Sequence, residues 1–502
     1  MSPKVRAPLQ SIEKHAFDSQ DTKLVIMKNI ILYIFLAVFF SCNNFEEINT
    51  DPARASETLP EYLLSNAQKS AVDVVYHHYY NARQGMALAQ YWTGTDKTGE
   101  SRYLYTDDGL WGNLYARSLA DLQQILLYYE NNPDSESAHT VAVVEILKAW
   151  IFHILTDVYV DIPYSQALNG NEFVQPVFDS GQDVYASLLT SLATQISTLG
   201  TESGAIRGDI IGGGDPVQWI KFANALRMRI ALRMVDADES SARAVIEEAT
   251  QNTFTGVEED FYFPYDESSE VNRFPYNNAD RPLVEFAVTT TLLDYLQEVD
   301  DPRLEIYARP DETNGDYIGK PYGKEENAPT VIGLSKPGSA AYSASAKGYL
   351  IAYAEVAFIN AEAAARGMSV GGSAEEWYEK GIRASMKQWG VTDVDSIEEY
   401  IQRVPFDGGE WNDVIGTQKW LALYLQGIQG WLERLRMDFN KPGGEPLFIA
   451  PLSGSLNPDV DYLPTRLAYP SETRVNNEAN SEAAASRIGG DSFATKNWWD
   501  TK

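Results

Sequence analysis

Helical periodicity is the feature of this sequence that most restricts the fold it can adopt. Apolar residues recur about every 3.6 positions in the segments 138–158, 216–235 and 412–436. In the first segment, Val144 and Ile151 fall on the same face of a helix. A helix with one apolar stripe must bury that stripe against another element, so we expect helices that pack on one another.

Signals at helix ends indicate further helices. A turn-rich leader precedes a predicted helix near 59–75. Two capping boxes, Ser373 with Glu376 and Ser396 with Glu399, predict two more helix starts. Helix pairs of this kind are typical of tetratricopeptide arrays, although a 34-residue period is not clean in this sequence.

Small residues indicate close packing between helices. The alanine-rich segment 347–366 predicts one helix that ends at Gly367. Gly427 and Gly430 lie inside a predicted helix, where a glycine costs about 1 kcal/mol relative to alanine. We therefore expect another element to pack closely against these two glycines.

Long irregular stretches separate the helical segments. Loops of this length in a folded domain usually bind a ligand or partner, or are disordered. Alternating strand patterns are scarce. The predicted fold class is therefore all-α, mainly helical, with a loop-rich face and small hairpins. The stretches are 91–113, 159–180, 200–216, 252–285 and 301–346.

Charge and cysteine content exclude several function classes. The chain has 71 acidic and 40 basic residues, for a formal net charge of −31. This balance argues against nucleic acid as a partner, because affinity for phosphates comes from lysine and arginine. One cysteine allows neither an internal disulfide nor a cysteine-built zinc site.

The N-terminal region resembles a secretion signal. Eleven apolar residues, Ile30–Phe40, follow Lys28. This run is shorter than the ~20 residues that span a membrane, and it suits the core of a signal peptide. Met27 is an alternative start to Met1, which would make residues 1–26 an over-extended gene model.

Cys42 directly follows this apolar run. Ser41 and Cys42 match the end of a bacterial lipoprotein signal, in which the cysteine receives diacylglycerol before cleavage. The alternatives are a signal peptide that is cleaved elsewhere and an N-terminal helix with a buried cysteine. We predict that residues 1–41 are an N-terminal extension and lipoprotein signal, that Cys42 is lipidated, and that residues 42–502 form one domain.

Six segments share their order and sequence with motifs of one known family. They are "NTDP" (Asn49–Pro52), "LTDVYVDIPYSQAL" (Leu155–Leu168), "AEVAFINAEAAARG" (Ala354–Gly367), "IGTQKWLALYLQGIQGWLERLRMDFNKP" (Ile415–Pro442), "LPTRLAYPSETRVNN" (Leu463–Asn477) and "NWWD" (Asn497–Asp500). Together they resemble the SusD/RagB family of Bacteroidetes outer-membrane lipoproteins. One departure is Val160, where the family usually has glycine.

The resemblance implies a fold, a location and partners. It implies four tetratricopeptide-like helix pairs with a loop-rich ligand-binding face. It also implies a surface-exposed protein, held in the outer membrane by its N-terminal lipid, that covers a SusC-like TonB-dependent transporter as a hinged lid. The ligands of the family are usually glycans, and in some members they are peptides.

Aromatic residues concentrate in two loops, Gln90–Trp111 and Phe254–Pro282. A sugar ring binds a flat aromatic side chain beneath it and amide or charged groups at its edge, and peptides bind similar surfaces. The alternative is that the rings attach long loops to the core. The candidate ligand-binding residues are Trp92, Tyr103, Tyr105, Trp111, Phe274, Tyr276, Asn277, Asn278 and Arg83.

The sequence contains no assembled catalytic or metal motif. Glu355 and Glu362 are about 10.5 Å apart along a helix axis, beyond the ~5–9.5 Å of glycosidase carboxylates, so structural ion pairs are the better interpretation. No P-loop, H-E-x-x-H or G-x-S-x-G motif is present. Acidic segments at 236–240 and 258–260 leave a structural calcium open, and we predict no other cofactor.

We therefore expect a binding protein rather than an enzyme. The predicted ligand is an oligosaccharide or polysaccharide that is handed to the transporter. Peptide capture is the alternative within the family, and a surface glycoside hydrolase is the alternative from another class.

Overall fold

The computed structural model describes residues 59–104, 109–277, 285–325 and 333–502. Within these ranges, thirteen α-helices of nine or more residues confirm the mainly helical prediction. Cys42, Tyr105 and Asn278 lie outside the described residues. The helices are α1 (Pro60–Val75), α2 (Ala120–Asn131), α3 (Ala138–Tyr159), α4 (Gly181–Thr201), α5 (Pro216–Arg233), α6 (Glu239–Ala249), α7 (Thr290–Glu298), α8 (Tyr353–Ala365), α9 (Ala374–Gln388), α10 (Val394–Arg403), α11 (Trp411–Ala422), α12 (Gly427–Met437) and α13 (Glu478–Ile488).

Four antiparallel helix pairs follow one another along the chain. They are α1 with α2, α3 with α4, α5 with α6, and α8 with α9. Successive pairs also touch, since α4 packs on α5 and α8 packs on both α5 and α11. Each pair buries its apolar stripe partly within itself and partly on the next pair, as in tetratricopeptide arrays.

Side chains at the helix starts explain where several helices begin. The hydroxyl of Ser373 accepts from the amide of Glu376, and the Glu376 carboxylate accepts from the amide of Ser373, which confirms this capping box. The predicted box at Ser396 is wrong. The α10 helix starts three residues earlier, because the Asp393 carboxylate accepts from the Ser396 amide (3.1 Å).

The alanine-rich segment is a strand followed by a helix, not one helix. Lys347–Ile351 forms a strand that pairs with Phe261–Pro264, and α8 begins only at Tyr353. The carboxylate of Asp260 accepts the Tyr353 amide (2.7 Å) at this start. The predicted helix end at Gly367 is confirmed, since α8 ends at Ala365, Arg366 is its C-cap, and Gly367 follows with φ +74°.

The predicted helix across 412–436 is also interrupted. It divides into α11 and α12, and Leu425 between them has φ +66°. Asn81 stabilises this break, because its side chain donates to the Leu425 carbonyl (2.6 Å) and accepts from the Gly427 amide (3.0 Å). A continuous apolar stripe cannot reveal such a break.

Close packing explains the two glycines, as predicted. A Cβ at position 427 would lie 2.2 Å from the carbonyl carbon of Gly85. A Cβ at position 430 would lie 2.5 Å from the hydroxyl of Tyr91. Both residues therefore let α12 approach neighbouring segments more closely than any side chain allows.

The described β-structure consists of three two-stranded antiparallel sheets. The prediction of scarce, small strand pairs is confirmed, and each pair joins segments that are distant in the sequence. The strands are β1 (Trp92–Gly94) with β3 (Phe286–Val288), β2 (Phe261–Pro264) with β6 (Lys347–Ile351), and β4 (Ala308–Arg309) with β5 (Lys336–Pro337).

Buried ion pairs join the helices at the centre of the fold. Glu355 on α8 accepts two hydrogen bonds of 2.7 Å from Arg229 on α5. Glu362 accepts from both terminal nitrogens of Arg436 on α12, at 2.7 and 2.5 Å. The expectation that these two glutamates form structural ion pairs is confirmed, and neither carboxylate is available for catalysis.

Candidate functional site

A π-helical turn, His78–Gly85, connects α1 to the loop-rich face. Wide turns of this kind occur frequently at functional sites. Asn81 fixes the turn, since its amide donates to the hydroxyl of Tyr276 (2.6 Å) as well as to the α11–α12 break. The residues around this turn form two distinct polar surfaces.

The first surface is a groove of about 700 Å³, which we call the polar groove. It lies between α1, the start of the π-helical turn and residues 109–121. Its volume falls within the range of ~300–1,000 Å³ that is typical of small-molecule sites. Amide, hydroxyl, aromatic and charged side chains line it together.

One wall of the polar groove is aromatic. The ring of His77 stacks on that of Tyr80, with centroids 4.3 Å apart and planes 24° from parallel. Asn113 donates to the Tyr80 hydroxyl (2.9 Å) and to the carbonyl of Gly109 (2.8 Å). A Cβ at Gly109 would lie 2.0 Å from the Tyr80 hydroxyl, so this wall requires glycine there.

The carboxylates that line the polar groove already have partners within the protein. Lys69 contacts Asp73 at 2.5 Å, and the hydroxyl of Tyr265 donates to the same carboxylate at 2.6 Å. Burial, together with the adjacent Asp73, raises the pKa of Tyr265 well above its usual value, which keeps it a neutral donor. Asp121 accepts from the side chain of Asn66 at 2.6 Å.

Arg117 differs from these groups. Its side chain is exposed and lines the polar groove. Its guanidinium makes no ion pair or hydrogen bond with any residue in the described ranges. A guanidinium presents five donors in a planar fork, which matches carboxylate and hydroxyl pairs on a ligand.

The second surface surrounds Arg83, on the other side of the π-helical turn. Arg83 pairs with Glu285 (2.5 Å) and Glu100 (3.1 Å), and its guanidinium lies 5.3 Å from the ring centre of Tyr79. Burial opposes ionisation of Glu285, but hydrogen bonds from His78 and Arg83 outweigh it and lower its pKa to about 2. The charge of Arg83 is therefore compensated within the protein.

The structure brings three of the candidate aromatic residues together in the core. Trp92 is 0% exposed and donates from its indole to the hydroxyl of Tyr424 (3.0 Å). Its ring contacts Tyr276, which in turn packs on Phe274, and both of these rings are at most 1% exposed. This packing supports the alternative interpretation, in which the rings attach the loops to the core.

The other candidates lie apart from this cluster. Trp111 is 7% exposed and packs edge-on against Tyr159, with centroids 4.9 Å apart. Tyr103 is buried and donates to a backbone carbonyl. Asn277 donates to the carbonyl of Tyr342 (2.6 Å). Among the candidates with described positions, Arg83 and Asn277 are half-buried and the others are buried.

The described ranges hold no group of three acidic, histidine or cysteine side chains that could bind a metal ion. In the acidic segment 236–240, Asp236 pairs with Arg366 at 2.7 Å. No helix in the same ranges is long and apolar enough to cross a membrane.

Comparison with known proteins gives the family. The family model SusD-like, described as starch-binding and associating with the outer membrane, matches residues 52–470. Among curated protein sequences, none matches this chain.

Solved structures agree in fold over nearly the whole described chain. A chitin-binding protein is 26% identical, with a TM-score of 0.78, and covers 88% of this chain and 100% of its own. A chitin-binding SusD homologue from Flavobacterium johnsoniae is 21% identical, with a TM-score of 0.76 and coverage of 88% and 98%. A SusD homologue from Bacteroides uniformis is 22% identical, with a TM-score of 0.76 and coverage of 88% and 100%. The chain belongs to the SusD-like family of outer-membrane-associated proteins.

Proposed function

We propose that this protein captures an oligosaccharide in the polar groove, at the bacterial surface, without cleaving it. The observation that carries the proposal is the groove itself. It combines the His77–Tyr80 stack with the amide of Asn113 and the guanidinium of Arg117, which has no partner in the described ranges, in about 700 Å³. A sugar ring offers apolar faces and a hydroxyl rim, and this mixture of side chains complements both.

Relatives support a glycan as the ligand class. The matching family model is described as starch-binding, and two of the similar structures are chitin-binding proteins. Their ligands differ, so they support the class of ligand and not a particular sugar.

The sequence motif at Cys42 and the family support the proposals for location and partner. We propose that Cys42 carries the lipid, which anchors the protein in the outer membrane. Two or three acyl chains are needed for durable anchoring, because one chain binds only marginally. We further propose that a SusC-like TonB-dependent transporter receives the bound glycan.

The absence of catalysis is also part of the proposal. Glu355 and Glu362 are bound in buried ion pairs, and Asp73 and Asp121 accept hydrogen bonds from neighbouring side chains. Glycoside hydrolysis requires a general acid with a raised pKa beside a second carboxylate at the bound sugar. Asp260, whose pKa is raised by burial to about 7, does not line the polar groove.

A binding panel tests the proposal. Purified protein is titrated with neutral and charged oligosaccharides and with peptides of similar length, and the reducing ends are assayed after prolonged incubation. We expect saturable binding of a glycan and no new reducing ends. Binding of peptides alone would replace glycan capture with peptide capture, and catalytic release of sugars would contradict a pure binding role.

A further inference from the structure

Four side chains that carry a full charge line the polar groove, and three of them have a partner within the described residues. Lys69 is held by Asp73 at 2.5 Å and also lies 5.8 Å from the ring centre of Tyr265. Asp73 and Asp121 receive hydrogen bonds from Tyr265 and Asn66. Lys69 and Asp73 compensate each other's charge, whereas Asp121 accepts from the neutral amide of Asn66; each of the three has at least one partner within the protein.

Arg117 is the exception among the charged side chains that line the polar groove. It is exposed, and its guanidinium has no partner within the described ranges. On the other surface of the π-helical turn, Arg83 is paired with both Glu285 and Glu100. The two arginines therefore differ in what they can offer: Arg83 is occupied by the protein, whereas Arg117 is open to a ligand.

From this arrangement we infer that the polar groove takes a glycan with an anionic sugar, whose acidic group pairs with Arg117. This inference rests on the proposed function, and it names the ligand class within the same groove. Carboxylate and sulfate ester groups share the chemistry that a guanidinium recognises with two parallel hydrogen bonds.

The acidic character of the whole chain does not oppose this inference at short range. The net charge of −31 acts over long distances, and physiological salt screens exposed charges beyond about 8 Å. A guanidinium in direct contact with an acidic sugar is much closer than that. The long-range field slows the approach of an anionic glycan, whereas the contact at Arg117 determines which sugar stays bound.

The test compares three probes on three forms of the full-length protein. The probes are tetragalacturonic acid, a sulfated carrageenan tetrasaccharide, and neutral chitotetraose. The forms are the wild type, Arg117→Gln and Arg207→Gln. Arg207 is a matched control, because it is also exposed and unpaired in the described ranges but lines a different cavity.

We expect the wild type to prefer one of the two anionic probes over chitotetraose. Loss of a charge-assisted hydrogen bond should weaken the binding of that probe to Arg117→Gln by about tenfold or more, whereas Arg207→Gln should bind it like the wild type. Raising the salt concentration should narrow the difference between the affinities of the wild type for the anionic probe and for chitotetraose. Preference for the uronate or for the sulfate identifies which acidic group is recognised.

Three outcomes overturn the inference, and they are distinguishable. If chitotetraose binds best and Arg117→Gln binds it as the wild type does, the inference fails and the proposed function stands. The inference also fails if Arg117→Gln binds the preferred anionic probe as tightly as the wild type does. If neither these probes nor any oligosaccharide of the binding panel binds the protein, the proposed function fails with it. Thermal melting of both variants confirms that they remain folded.

Discussion

The buried pair of Arg229 and Glu355 gives the sharpest test of how the helix pairs are held together. Arg229 on α5 reaches Glu355 on α8 through two hydrogen bonds of 2.7 Å, and it donates a third to the Leu350 carbonyl (2.8 Å). The two side chains are 3% and 4% exposed. Replacing Glu355 with glutamine leaves the guanidinium buried without a counter-charge.

The expected cost is large because the remaining charge has no access to water. Removing one partner of a buried pair typically costs ~3–5 kcal/mol. For the roughly 440 residues from Leu59 to Lys502, the entropy of unfolding is about 0.9 kcal/mol per degree, so Tm should fall by about 3–5 °C.

A double variant separates loss of pairing from loss of charge. Replacing both residues, as Arg229→Met with Glu355→Leu, removes the desolvated charges together and should restore much of the stability. The surface pair of Arg383 and Glu398, with side chains 35% and 43% exposed, is the matched control. Glu398→Gln should cost no more than ~1 kcal/mol.

Thermal and denaturant unfolding of the wild type and the three variants measure these differences. If Glu355→Gln costs as little as Glu398→Gln, the guanidinium finds water or another partner when Glu355 is removed. The claim that the contact between α5 and α8 excludes water from the Arg229–Glu355 pair would then be incorrect.

The remaining predictions concern packing, pH and anchoring. Gly427→Ala should destabilise the protein by about 3 kcal/mol or more, because the new methyl group would lie 2.2 Å from the backbone of Gly85. In the control Gly112→Ala, the methyl group meets nothing within 4 Å, so this variant should be neutral or stabilising. Equal melting temperatures of the two variants would contradict the role of Gly427 in close packing. Burial raises the pKa of Asp260 to about 7. Ionising this buried carboxyl group therefore lowers stability, with no effect below pH 4 and an effect that grows as the pH rises to 7. Asp260→Asn should therefore raise the free energy of unfolding at pH 8, by at most ~4 kcal/mol, and alter it little at pH 4. If the difference between variant and wild type does not depend on pH, the raised pKa of Asp260 is refuted. Cys42→Ala should release the protein from the membrane fraction, and a variant that stays bound would refute the lipid anchor.

The helices were predictable because their apolar stripes are continuous. Segments 138–158 and 216–235 correspond closely to α3 and α5. The break at Leu425 was not predictable, because it depends on Asn81, more than 300 residues earlier in the chain. Strand Lys347–Ile351 was missed for a similar reason, since its partner is the distant strand Phe261–Pro264.

The candidate site was predicted less well than the fold. Loop aromatics such as Trp92 and Tyr276 have the side chains that a glycan site uses, but the same side chains also fill a core. The polar groove draws Asp73, Asn113 and Arg117 from separate helical segments. In sequence such residues resemble ordinary solvated helix faces, and only their arrangement in space reveals a groove.

The central claim is tested most directly by measuring oligosaccharide binding when the polar groove is blocked. Calorimetric titration compares the wild type with Ala116→Trp, which places a bulky side chain on an exposed groove position, and with Ala186→Trp at an exposed position on α4. Our account predicts that the oligosaccharide selected from the panel binds the wild type and Ala186→Trp equally and binds Ala116→Trp much more weakly. Equal affinity for all three proteins would contradict glycan capture in this groove.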